Sequence, residues 1–211
     1  LLFSVAGIIF LREMMDQRIK NTGDIKLIPN LELLGVLPDA ADDPSGIEGI
    51  EDAVVNNPAG LLAESFRQIR TTLLTKMDRR GYKTLMITGA KPESGVTTMV
   101  GNLAASMTYN GRKVMIVDAN FRRPRQHVLF NVPDSPGLID LLQDQLAIEQ
   151  AVLHIADPGF DLLPAGIAES APPELFEGSA FLDLLASLES RYDLILIDTP
   201  PTLLTSDSQL L

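Results

Sequence analysis

Ala90-Lys91-Pro92-Glu93-Ser94-Gly95-Val96-Thr97-Thr98 separates the apolar run Lys83-Thr84-Leu85-Met86-Ile87-Thr88 from a segment of helical spacing over 96–110. A strand-to-helix loop is where proteins cradle phosphate, because successive backbone N–H groups and the helix N-terminus point at the anion. The template for such loops, G-x-x-x-x-G-K-[ST], adds a lysine for the β- and γ-phosphates and a hydroxyl for Mg²⁺. Set on Gly95, it places Ala90 at the first glycine, Val96 at the lysine and Thr97 at the metal hydroxyl. Two of the four defining positions fail. Taken alone, the stretch reads more naturally as an ordinary turn.

The flanking pattern changes that reading. Strand candidates recur at 113–117 (KVMIV), 160–163 and 194–197 (LILI), with Asp118 and Asp198 directly after the first and last of them. Between them run helical segments. GLLAESFRQIRTTLLTKM repeats apolar residues at Leu62, Phe66, Ile69, Leu73 and Met77 and is closed by Gly81; 138–142, 148–155 and 181–188 also read as helical. Alternating strands and helices imply right-handed βαβ units and a doubly wound, mostly parallel α/β sheet with helices on both faces. Ligands of such sheets bind beyond the carboxyl ends of the strands. The 90–98 loop, Asp118 and Asp198 all fall there. Asp198 is placed as a Mg²⁺-coordinating carboxylate, and Asp118 as a group that orients the metal or acts as a base.

Composition sets the outer bounds. A hydrophobic content of 45% and a charged content of 21% suit a folded globular chain. The net charge of −11 argues against a nucleic-acid partner, and the acidity is spread along the chain. The absence of cysteine excludes disulfides and Cys-based zinc sites.

The chain opens LLFSVAGIIFL before Arg12. A bilayer takes about 20 apolar residues, so residues 1–11 read as the end of a transmembrane helix whose remainder lies upstream. Arg12, Arg18, Lys20 and Lys26 place its downstream side in the cytoplasm. Residues 12–58 read as a juxtamembrane stalk followed by an acidic linker, with a short ordered element at IPNLELLGVLP (28–38). Residues 59–211 form the α/β domain, which ends in the middle of an apolar pattern and reads as truncated.

In this arrangement the chain resembles the cytoplasmic kinase domain of bacterial tyrosine kinases fused to polysaccharide co-polymerases, the chain-length regulators of exopolysaccharide and capsule export. LLGVLP, AESFRQIRTTL, MITGAKPESGVTTMVGNLA, VMIVDANFRRPRQHVLF, PGLIDLL with LLPAG, and YDLILIDTPPTLLTSD match the family's elements in order and spacing. The resemblance implies a P-loop NTPase-type fold, ATP and Mg²⁺ as cofactors, and tyrosine autophosphorylation. It implies that residues 91–98 (Lys91, Pro92, Glu93, Ser94, Gly95, Val96, Thr97, Thr98) and Arg122 contact nucleotide, and that Thr97, Asp118 and Asp198 serve the metal. Asp118, Asn120 and Asp198 are its implied catalytic positions. Glu64, Arg67 and Arg70 are its implied ring-forming contacts in a homo-oligomer, whose other partners are membrane-embedded polysaccharide export components at the inner membrane. The charges on that helix also read simply as an exposed i,i+3 set.

Three departures from the family stand out. Val96 removes the loop lysine, and losing one such charge costs about 10²–10³ in rate. Asn120 replaces a second acid that many relatives carry, so it can bond a ligand but cannot act as a base. The only tyrosines, Tyr82, Tyr109 and Tyr192, lie inside the folded pattern rather than in a tail. Lys91 takes the place of an extra phosphate-reaching lysine in related partition ATPases, so it is a candidate to supply part of the missing charge. Both an active, slow autokinase and a degenerate, regulatory kinase-like module fit these residues. A partition-type ATPase fits less well, because the N-terminal apolar segment and LLGVLP precede the domain.

Overall fold

The computed structural model describes residues 22–25, 28–44, 49–51, 53–144, 146–167 and 178–201. The chain forms two compact units, residues 1–36 and 37–211. In the first, Thr22–Ile25 makes a single helical turn. No regular secondary structure follows over 31–39, so the LLGVLP element is ordered without being helix or strand. The apolar residues 1–11 lie outside the described residues. Among the described residues no helix is long and apolar enough to cross a membrane.

The second unit carries a five-stranded sheet in the order β1-β5-β2-β4-β3. Its strands are β1 (Thr84–Ile87), β2 (Val114–Asp118), β3 (Leu153–Ile155), β4 (Phe160–Leu163) and β5 (Leu194–Asp198). Neighbours pair in parallel except β3 and β4, which are antiparallel. The runs VMIVD and LILID are buried at every position, as expected for central strands covered on both faces. The mostly parallel sheet read from the sequence is therefore the one observed.

One segment differs. Residues 148–155 read as one helix, but only α6, Ile148–Ala151, is helical; Val152 turns extended and 153–155 form β3. The apolar spacing fits either period over so short a stretch. The hairpin wins because Ile155 faces Phe160 across a tight turn in which Gly159 takes φ +96°, a conformation that costs glycine little.

Among the described residues this unit has six other helices, α1 (Ala53–Asn56), α2 (Leu61–Arg80), α3 (Val96–Thr108), α4 (Gln126–Leu129), α5 (Leu138–Asp144) and α7 (Ser179–Arg191), and a 3₁₀ turn at Ala40–Asp42. Helix α2 buries Leu62, Phe66, Ile69, Leu73 and Met77, the period visible in its sequence, and ends at Gly81 with φ +71°. The compact unit starts at Leu37, and described residues of the stretch read above as linker are buried in it. Asp43 is 5% exposed and its Oδ2 accepts from Leu61 N–H (2.9 Å) and Leu62 N–H (3.3 Å), capping α2, whose own N-cap residue is Gly60. Ala53 and Val54 of α1 are buried.

Candidate nucleotide site

The site lies beyond the carboxyl ends of β1, β5 and β2. From β1 the chain enters the 88–95 loop, and α3 begins at Val96 after Gly95, whose φ of +77° suits glycine. Glu93 holds φ +59° without being glycine, a local strain of the kind that collects at ligand loops. The loop, the segment after β2 and the segment after β5 line a cavity of about 670 Å³, ordinary for a small-molecule site. Residues 91–98, Asn120 and Arg122 all line it, together with Arg123, Arg125 and Glu51. Four cationic side chains, Lys91, Arg122, Arg123 and Arg125, thus face two acidic ones, Glu51 and Glu93. Arg123 and Glu93 join the two loops through an exposed 3.4 Å ion pair. Such pairs contribute little.

Beneath the cavity stand the two aspartates. Asp118 and Asp198 are direct partners on adjacent strands, and both are fully buried. Three backbone N–H groups bond the Asp118 carboxylate: Asn120 to Oδ1 (3.0 Å), and Arg125 (3.2 Å) and Gln126 (3.1 Å) to Oδ2. Burial, with the Asp198 charge beside it, outweighs those bonds and raises its pKa to about 7. Burial likewise raises Asp198 to about 6, opposed by the hydrogen bond from Gln126 and by the nearby Thr97 hydroxyl. Asp198 Oδ2 accepts from Gln126 Nε2 at 2.8 Å, while its Oδ1 is buried with no partner.

A divalent cation fits this arrangement. An unpartnered buried carboxylate oxygen, a second buried carboxylate and the Thr97 hydroxyl are hard oxygen donors. Mg²⁺ is usually held by one or two carboxylates plus substrate phosphates and water. Among the described residues no group of three His, Cys, Asp or Glu side chains converges on one point.

The helix read as self-associating shows intrachain partners. Arg67 bonds Glu64 through Nε (2.9 Å) and Nη2 (2.6 Å), and its Nη1 donates to the Pro58 carbonyl (2.7 Å). Arg70 Nη1 donates to the Ser106 carbonyl at 2.7 Å. Glu64 and Arg67 are solvent-facing, whereas Arg70 is tied to α3.

Two residues at the site escape sequence reading. Gln126 is fully buried between the aspartates, and Asn102 is buried on α3 beneath the loop. Gln126 comes from a basic stretch that reads as surface, and Asn102 is a lone amide in an otherwise apolar stretch of helix. Glu51 reaches the cavity from the acidic segment, and nothing in its local sequence marks it.

Comparison with known proteins places this geometry. An AAA domain matches residues 82–210. The tyrosine-protein kinase Wzc of Salmonella typhimurium is 35% identical over 175 residues, 80% of this chain and 24% of that protein. The kinase domain of the Escherichia coli tyrosine kinase Etk superposes with a TM-score of 0.77 at 31% identity, covering 85% of this chain and 73% of that one. The septum site-determining protein MinD of Pyrococcus horikoshii, complexed with Mg-ADP, superposes with a TM-score of 0.52 at 26% identity, covering 61% and 52%. The chain spans between 20% and 28% of the length of the first curated relatives it matches.

Proposed function

Because this chain belongs to the bacterial tyrosine kinase family with its P-loop fold, we propose that it binds ATP with Mg²⁺ in the cavity beside Val96 and phosphorylates tyrosine slowly. The observation that carries this reading is the buried Asp118–Asp198 pair with Asp198 Oδ1 left unpartnered. Thr97 and Asp198 would hold Mg²⁺, which would supply charge neutralisation on the transferring phosphoryl group. Asp118, with its pKa near neutrality and its oxygens fixed by three N–H groups, takes the proton from the attacking tyrosyl hydroxyl. Asn120 orients that carboxylate through its N–H. Lys91 and Arg122 supply positive charge to the phosphates from the cavity wall.

Val96 supports a second reading, in which nucleotide binding persists and transfer does not, leaving a regulatory kinase-like module. In either reading the domain serves exopolysaccharide or capsule polymerisation and export from the cytoplasmic face of the inner membrane. The Glu64–Arg67 surface of α2 mediates ring-like self-association beside the export components. The deciding experiment measures Mg-ATP binding and tyrosine autophosphorylation in the unmodified chain and in Val96→Lys. Phosphorylation in both supports the kinase. Phosphorylation only after Val96→Lys supports the module. No binding of Mg-ATP by either removes the nucleotide reading.

A further inference from the structure

Gln126 makes contacts that neither composition nor chemistry of the known motif requires. It is fully buried, its backbone N–H donates to Asp118 Oδ2 at 3.1 Å, and its Nε2 donates to Asp198 Oδ2 at 2.8 Å and to the Thr97 carbonyl at 3.3 Å. One residue therefore joins both buried carboxylates and the start of α3. The direction of the amide is fixed by chemistry: turned over, its oxygen would face a carboxylate oxygen. Its Oε1 is buried without a partner, as is Asp198 Oδ1 on the residue it bonds. Both orphans are acceptors. Buried polar atoms are seldom left so; acceptors of this kind are satisfied by water, free or metal-bound, or by a cation itself.

We propose that Gln126 is a positioning residue of the metal site. Its amide holds Asp198 Oδ2 and so leaves Oδ1 as the atom offered to the ion, while its own Oε1 accepts from the ion's hydration shell. Partners that orient a ligating carboxylate in this way typically change metal affinity 10–100-fold when removed. The inference rests on the Mg-nucleotide reading above.

The test titrates Mg²⁺ calorimetrically into the full chain saturated with ADP, and measures ADP binding separately in EDTA. Gln126→Met keeps the side chain's length without the amide donor or its carbonyl acceptor; Gln126→Leu repeats the loss with different packing, so that a folding failure in one does not stand for both. The expected result is an Mg²⁺ affinity weakened about 10–100-fold in both variants, with ADP binding in EDTA unchanged. Equal Mg²⁺ affinity in variant and unmodified chains overturns the inference and leaves the nucleotide reading intact. Loss of ADP binding in EDTA together with the melting transition, in both variants, assigns Gln126 to folding and overturns it as well. Failure of the unmodified chain to bind ADP under either condition overturns the nucleotide reading and the inference with it.

Discussion

Asn102 Oδ1 accepts a hydrogen bond from the Val54 N–H at 2.8 Å, joining α3 to a helix 48 residues earlier in the chain. Its Nδ2 donates to the carbonyls of Ile50 (2.8 Å), Glu51 (2.9 Å) and Thr98 (3.0 Å). One buried amide thus fastens Ile50, Glu51 and Val54 to the phosphate-loop helix and fixes the backbone of Glu51, which lines the cavity. Asn102→Ala leaves those backbone groups without it. At about 1 kcal/mol for each net bond and more for groups left unsatisfied, the loss is about 2–4 kcal/mol. In a chain of this size that lowers the melting temperature by roughly 5–15 °C. Limited proteolysis reports the same event as new cleavage between 44 and 53. A loss under about 1 kcal/mol in denaturant titration would show that packing of Ala53 and Val54 alone holds the segment.

The two aspartates set a pH dependence of defined sign. Both have folded-state pKa values above the ordinary carboxylate range, about 7 for Asp118 and about 6 for Asp198. The folded protein therefore binds their protons more tightly than the unfolded chain. Their contribution to stability is complete below about pH 4 and is lost as pH rises through 6 and 7. Asp118→Asn removes one charge of the pair and flattens that decline. Mg²⁺ competes with the protons, so its stabilising effect grows over the same window. Melting temperatures at pH 5 and pH 7.5, with and without Mg²⁺, check both signs. A steeper decline in Asp118→Asn than in the unmodified chain would contradict the assignment.

How much of this was visible beforehand follows from where the information lies. β1, β2, β5 and α2 are announced by local periodicity, and the aspartates by their place at strand ends. β3 is hidden because three residues cannot display a period of two against a helical background. The inward turn of Gln126 is decided by Asp198, 72 positions away, and that of Asn102 by Val54. A polar residue inside RRPRQH looks like any other until its partner is in place. Asp43 is the same case: a carboxylate in an acidic stretch that caps a helix beginning 18 residues later.

Lys91 lines the cavity with Val96, on the same loop. With the loop lysine replaced by valine, it is the one cation of residues 90–98 able to face phosphate. Lys91→Ala should weaken Mg-ATP binding about tenfold, the effect of one charge-assisted contact, and Val96→Lys should restore it in the double variant. The measurement is titration calorimetry at low salt. Unchanged affinity in Lys91→Ala would leave Lys91 a solvated loop residue and shift the compensating role to Arg122, Arg123 and Arg125.

The three charges of α2 should separate into two behaviours. At the end of α3 the carbonyls of Ala105, Met107 and Thr108 receive N–H groups from Tyr109, from Asn110 and Arg112, and from Gly111. The Ser106 carbonyl instead receives the Arg70 guanidinium, a cation at the negative end of the helix. Arg70→Ala therefore destabilises the single chain by about 1–2 kcal/mol, whatever its oligomeric state. Glu64 and Arg67 pair in solvent, where such bonds contribute little, so Glu64→Ala should leave the unfolding transition nearly unmoved, and Arg67→Ala, which also loses an exposed bond to the Pro58 carbonyl, should cost less than Arg70→Ala. If their surface mediates self-association, sedimentation velocity will show those two variants dissociating at concentrations where the unmodified chain assembles. Assembly that survives both substitutions would remove the ring-contact role from α2, and a stability loss in them equal to that of Arg70→Ala would make all three residues structural.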